Sequence, residues 1–334
     1  GSENTAVGSF ALCTNTTGAK NTAVGKNAGS AITTGTFNDI FGRSAGFDLT
    51  TGDYNVAVGS GSLANLTTTN DNTAVGHNAL NTVVTGTQNT AVGTCALHNT
   101  TVNCGTAVGY QSLKGNTTGD KNTAVGRNSA NNNTTGSDNT VVGFCSLGTN
   151  TTGACNTAFG NYSLYSNTTA NDNSAFGYNT LGLNTTGTNN VAMGRNALLN
   201  NTTADNNTAV GKDSLCANTT GAKNIAIGSC ALQKNTTAGE NVGIGQQALQ
   251  CNVTGIHNTG IGAGALLKNT DCRNVAIGYH SLLCNTSGES NTAIGYNSLD
   301  ANTTADCNTA IGKDSLTANT TGAQNVAFGS GALC

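Results

Sequence analysis

The five-residue phrase Asn-Thr-Ala-Val-Gly opens at Asn4, Asn21, Asn38, Asn55, Asn72 and Asn89 and returns with small variations up to Asn325. Twenty such anchors occur, and the intervals between them measure seventeen residues except the steps Asn89 to Gly105 and Asn258 to Asn274, which measure sixteen. A period this strict describes one structural unit stacked on copies of itself, in which no unit buries a core alone and neighbours bury it for one another. Residues 1–334 therefore read as a single continuous repeat domain without separate caps or linkers.

Numbered from the anchor, the repeat reads N-T-A-V-G-x-x-(A/S)-L-x-x-N-T-T-G-x-x. Gly, Asn and Thr are poor helix formers, and the apolar slots 4 and 9 lack the i, i+3, i+4 spacing of a helix face. Slots 2 to 4 read instead as a short strand. Slot 4 is always Val, Ile, Phe or Met, as at Val7, Phe41, Met193 and Ile227, and is expected to face the interior, with slot 2 beside it because strand side chains alternate. Slot 9, Leu in seventeen of twenty repeats, supplies a second core column. Slot 5 is Gly throughout, from Gly8 to Gly329, which implies a positive φ or a close backbone approach. The fold class that follows is all-β: a β-solenoid, or β-roll, of about twenty 17-residue rungs. At a strand spacing of about 4.8 Å such a stack would extend on the order of 95 Å. Slot 3, Ala nearly throughout, is expected to point outward and to pack against a second chain.

The strand phrase followed by (A/S)-L resembles the head repeats of trimeric autotransporter adhesins and is similar to repeats of tail-fibre-like bacterial and viral proteins. The resemblance runs through every repeat. It implies a left-handed β-roll and a homotrimer. The seventeen-residue rung is longer than the usual adhesin head unit, and the N-T-T-G corner is not a fixed part of that pattern.

Thirteen basic against sixteen acidic side chains, with no basic stripe, argue against a nucleic-acid partner. No run approaches the roughly 20 apolar residues of a membrane helix. The acidic residues Asp53, Asp138, Asp213, Glu240 and Asp314 are scattered, no nucleophile, base and orienting group converge, and the four histidines occupy different slots. Neither an enzyme nor a cofactor nor a metal site is expected.

Slot 12 is Asn in fourteen of nineteen complete repeats and usually opens an N-x-(S/T) sequon, as at Asn15, Asn116, Asn150, Asn218, Asn302 and Asn319. These asparagines are candidate glycosylation sites or, the reading favoured here, a ladder of stacked amides, because glycans about 4.8 Å apart at their bases would collide.

Cysteines fall near the corners of the repeat: Cys95, Cys145 and Cys230 in slot 7; Cys13, Cys216, Cys251, Cys284 and Cys334 in slots 10 and 11; Cys104, Cys155, Cys272 and Cys307 just before or near an anchor. They read as surface staples. A disulfide needs Cα atoms about 4.4–6.8 Å apart, so sequence neighbours at opposite edges of a flat rung are expected to bond to other chains. Cys13 and Cys334 share slot 10, and with no polar capping segment in view a head-to-tail link between molecules is a further expectation.

The leading expectation is thus an extracellular, cell-surface or virion fibre built from copies of itself. An adhesin shaft that presents slots 6 and 7 (Lys26, Arg43, His77, Tyr110, Tyr178, Tyr296) to a receptor or glycan is the alternative, though these tyrosines look scattered. Ice binding ranks below both. It requires two outward Thr columns, and adjacent slots 13 and 14 are expected to face opposite ways.

Overall fold

The computed structural model describes residues 1–82 and 85–334. Among them every regular element is a three-residue strand, and the pairing is parallel and in register. The chain forms a β-solenoid with a strand every seventeen residues, divided into two compact units, Gly1–Asn171 and Asp172–Cys334. The first holds β1 (Thr5–Val7) through β10 (Thr157–Phe159), and the second holds β11 (Ser174–Phe176) through β20 (Val326–Phe328). Slot pairs with slot in each, as Thr5 with Thr22 and Val7 with Val24 in the first, and Val191 with Thr208 and Met193 with Val210 in the second.

In β2 through β20 the inward residue is that of slot 3, alanine in most of them. Ala23, Ala57, Ala91, Ala209 and Ala276 are fully buried, whereas the flanking slots 2 and 4 are half-buried or exposed. The expectation that slot 4 lines the core and slot 3 points outward is therefore overturned: slot 3 faces the interior and slot 4 faces outward. The reason lies across the rung, where the slot 9 leucines Leu63, Leu97, Leu113 and Leu232 fill the interior completely. A Cβ built on Gly243, in slot 3, would lie 3.2 Å from Cγ of Leu232 in the preceding rung, so little more than a methyl group fits between sheet and leucine. Between the strand and slot 9 there is room for one large side chain, and in most rungs the strand supplies the small one.

The slot 5 glycines meet both conditions expected of them. They hold φ between 122° and 143°. A Cβ on Gly76 would fall 2.7 Å from the carbonyl oxygen of Gly93 in the next rung, backbone against backbone. No L-residue fits that position.

The rung also turns at slots 7, 9 and 17, where non-glycine residues occupy the left-handed region. Cys145 (φ 52°), Leu147 (φ 50°) and Cys155 (φ 57°) show this within one rung, and all seventeen slot 9 leucines share it. Such a conformation costs about 1–2 kcal/mol per residue and is rare for a bulky side chain. It persists because rung-to-rung hydrogen bonds specify it: Leu97 N–H donates to Ser112 O at 3.0 Å and Cys95 N–H to His77 O at 3.0 Å. Slot 7 is often Asn, the residue that tolerates this region best after Gly, as at Asn27, Asn78 and Asn196.

Both sixteen-residue rungs keep strand register, with Thr90 opposite Thr106 and Thr259 opposite Val275. The missing residue comes from the corner. In the first short rung a single exposed Thr101 lies between buried Thr100 and Val102, where most other rungs place two threonines.

Candidate functional surfaces

Slots 2 and 4 form one flat, solvent-facing parallel sheet surface in each unit. Its slot 4 column is Val58, Val92, Val125 and their equivalents in the first unit and Met193, Ile227, Ile277 and theirs in the second, with Ile227 39% and Met193 47% exposed. In slot 2 the first unit is mostly Thr, while the second carries Val191, Ile225, Val242, Val275 and Val326. The one charged residue on these two columns is Asp39. Large apolar side chains repeated at strand spacing, with Asp39 the one charge among them, make a surface of the kind that marks an interaction site.

Two asparagine columns run inside the turns. Most anchor asparagines are buried, and typically one accepts the backbone N–H of the next anchor while donating to the slot 15 carbonyl of its own rung. Asn38 Oδ1 accepts from Asn55 N–H at 3.0 Å, and Asn38 Nδ2 donates to Gly52 O at 2.8 Å. In slot 12 the ladder runs Asn133 Nδ2 to Asn116 Oδ1 (2.9 Å) and Asn150 Nδ2 to Asn133 Oδ1 (2.6 Å), each nitrogen also reaching the slot 15 carbonyl. Asn116, Asn150, Asn218 and Asn302 have no exposed surface, and the atom that would carry a glycan is the one that donates both bonds. Asn15 and Asn319 are half-buried and donate to Gly18 O and Gly322 O. The geometry is that of the amide ladder.

The twelve cysteines are free thiols at the margins of the rungs. Cys13, Cys104, Cys155, Cys307 and Cys334 are exposed, and Cys95, Cys145, Cys216, Cys230, Cys251, Cys272 and Cys284 are half-buried. Burial pushes the Cys216 thiol up from its ordinary pKa, assisted by the charge of Asp213 and by nearby Cys230. Cys251 and Cys284 each sit one rung beyond a lysine, with Lys234 Nζ 3.8 Å and Lys268 Nζ 3.9 Å from the sulfur.

The aromatic side chains that look scattered in sequence stack in space, because equal slots meet on adjacent rungs. Tyr279 and Tyr296 are parallel at 5.5 Å between centroids, with Lys313 6.0 Å above Tyr296. In the first unit Arg127 lies between Tyr110 (5.7 Å) and Phe144 (5.8 Å), and Phe144 meets Tyr162 edge-on at 5.3 Å. A third column joins Lys20, Phe37 and Tyr54, its rings 4.9 Å apart. Sequence inspection along the chain misses these clusters, whereas comparison slot by slot at period seventeen would find them.

One recess of about 320 Å³ opens in slots 14–17 of the second unit, lined by Thr237, Gly239, Ile256, Lys223, Glu240 and His257. Glu240 bonds Lys223 at 3.3 Å and His257 at 2.8 Å, and these bonds, Lys223 foremost, hold its carboxyl below the usual range. Among the described residues no group of three or more His, Cys, Asp or Glu side chains is placed to hold a metal ion, and no helix is long and apolar enough to cross a membrane. Neither a protein-family model nor a curated protein matches the chain.

Proposed function

We propose that the chain is the subunit of an extracellular or virion-surface fibre that associates with copies of itself through the slot 2 and slot 4 sheet face. The observation that carries this reading is the uncharged column of half-exposed Val, Ile, Phe and Met side chains on that face. Burying apolar surface stabilises association by about 25 cal/mol per Å², and a regular face allows identical chains to meet along their length. The resemblance to adhesin and tail-fibre repeats supports three chains around this face. Mass measurement by light scattering tests it: the native chain is expected as a homo-oligomer, and Ile227→Lys with Ile244→Lys is expected to give monomers with unchanged circular dichroism. A monomeric native chain at high concentration removes the reading.

The free thiols at the rung margins support covalent links between associated chains. Migration on non-reducing gels as species heavier than one chain, collapsing on reduction, is the expected outcome.

A second reading, an adhesin shaft, is favoured by the aromatic and cation columns around Tyr110 and Tyr279. Binding of the intact chain to a glycan array, lost in Tyr279→Ala with Tyr296→Ala, tests it.

A further inference from the structure

Slots 13 and 14 do not alternate as strand neighbours would. From slot 12 to the next anchor the burial pattern repeats every three residues, so that Asn133 is buried, Thr134 half-buried, Thr135 exposed and Gly136 buried again. Both threonines therefore stand on the outside of the corner, framed by the Asn ladder on one side and the slot 15 Gly on the other. The expectation that only one Thr column points outward is overturned, because this segment is a turn and not a strand. We propose that these paired threonine columns bind the surface of ice.

The two columns differ in a way that suits such a surface. In slot 13 each hydroxyl donates to the slot 13 carbonyl of the next rung: Thr117 to Thr134 O at 2.9 Å, Thr134 to Thr151 O at 2.8 Å and Thr151 to Thr168 O at 3.0 Å. These bonds lock an already stiff β-branched side chain in one rotamer, so that methyl groups and oxygen lone pairs repeat at the rung spacing. In slot 14 the hydroxyls of Thr118, Thr135 and Thr152 make no bond to protein and face solvent, leaving donor and acceptor for water. The same pattern recurs in the second unit at Thr202 and Thr203, with Thr202 donating to Thr219 O at 3.1 Å.

Three further properties point to crystalline water as the occupant. No charged side chain stands in either column over these rungs, and a charge would hold a hydration shell that does not fit a lattice. The repeat along the column is about 4.8 Å, within a few tenths of an ångström of a lattice repeat on the prism face of ice. Fixed hydroxyls and methyls need little reordering to anchor water, which lowers the entropic cost of adhesion. This face is separate from the sheet face of slots 2 and 4, so association between chains through that sheet leaves it open.

The test is thermal hysteresis and ice-crystal shape with the intact chain, in the native form and in two sets of variants. Native protein is expected to open a gap between melting and growth and to facet the crystals. Thr135→Lys with Thr152→Lys, and the milder Thr135→Ser with Thr152→Ser, are expected to shrink the gap while circular dichroism stays native. Asp138→Lys, on the outward slot 17 column of the same rungs, is expected to leave it unchanged. Absence of a gap in the native chain, or a folded Thr135→Lys, Thr152→Lys chain that retains it, overturns the proposal. Neither result bears on self-association, which light scattering reads independently.

Discussion

Ile40 occupies the space that Gly46 leaves: a Cβ built on Gly46 would lie 3.1 Å from Ile40 Cδ1. In most rungs a slot 3 Ala faces a slot 9 Leu, and here the sizes are exchanged. Slot 3 also meets the slot 9 leucine of the rung before, as Gly243 meets Leu232 and Gly260 meets Leu249. Core volume is conserved while its two contributors trade places.

The exchange predicts a compensating pair. Ile40→Ala alone is expected to cost about 2–5 kcal/mol through cavity formation, and Gly46→Leu alone about 1–3 kcal/mol through overpacking. Ile40→Ala with Gly46→Leu restores the common pairing and should recover most of the loss. Denaturation of the four proteins of this double-mutant cycle measures the coupling, and simple additivity would contradict the packing described.

The buried ladder predicts a pH signature. Asn150→Ala is expected to cost about 1–3 kcal/mol, since it removes the donor to the two acceptors Asn133 Oδ1 and Gly153 O, the second of which keeps Asn139 Nδ2. In Asn150→Asp a carboxyl faces those same two acceptors, so only its protonated form can donate and burial raises its folded pKa. Stability of that variant is then greatest below the unfolded carboxyl pKa and falls as pH rises through the folded value. Melting temperature measured across the acid range checks the sign.

Strain at slot 17 predicts that a change on the surface can stabilise. Lys121 is exposed with φ 55°. Replacement by Gly or Asn relieves a conformation that L-residues resist, and a gain of up to about 1 kcal/mol is expected, less what Gly loses to unfolded-state entropy. Lys121→Val should destabilise by a similar amount. Thermal melts of the three variants rank them.

Glu240 predicts a small effect confined to acid. Its carboxyl is held low by Lys223 first and His257 second, so the stabilisation is present above the unfolded carboxylate pKa and disappears as pH falls through the lowered folded value. An NMR titration should place its midpoint below that of a free glutamate, and added salt should narrow the difference because the group is exposed.

Thiol reactivity should divide the cysteines. Cys216, whose pKa burial raises, is expected to alkylate more slowly at neutral pH than exposed Cys155. Mass spectrometry after timed iodoacetamide treatment distinguishes them, and faster labelling of Cys216 would contradict the placement.

Period seventeen, the unvarying slot 5 Gly and the recurrent slot 9 Leu were enough to establish a stacked β-solenoid, because only a repeating backbone demands the same residues at the same offsets. The asparagine ladder was legible for the same reason. Which side of the strand faced inward was not. In a three-residue strand an Ala between two apolar or Thr neighbours satisfies either orientation, and the choice falls to what the opposite wall leaves free. Leu97 and its equivalents fill the rung, so Ala91 turns in and Val92 turns out. The left-handed leucines, the aromatic columns and the doubled threonine face were likewise decided in three dimensions, where hydrogen bonds between rungs override local preference and bring residues seventeen apart into contact.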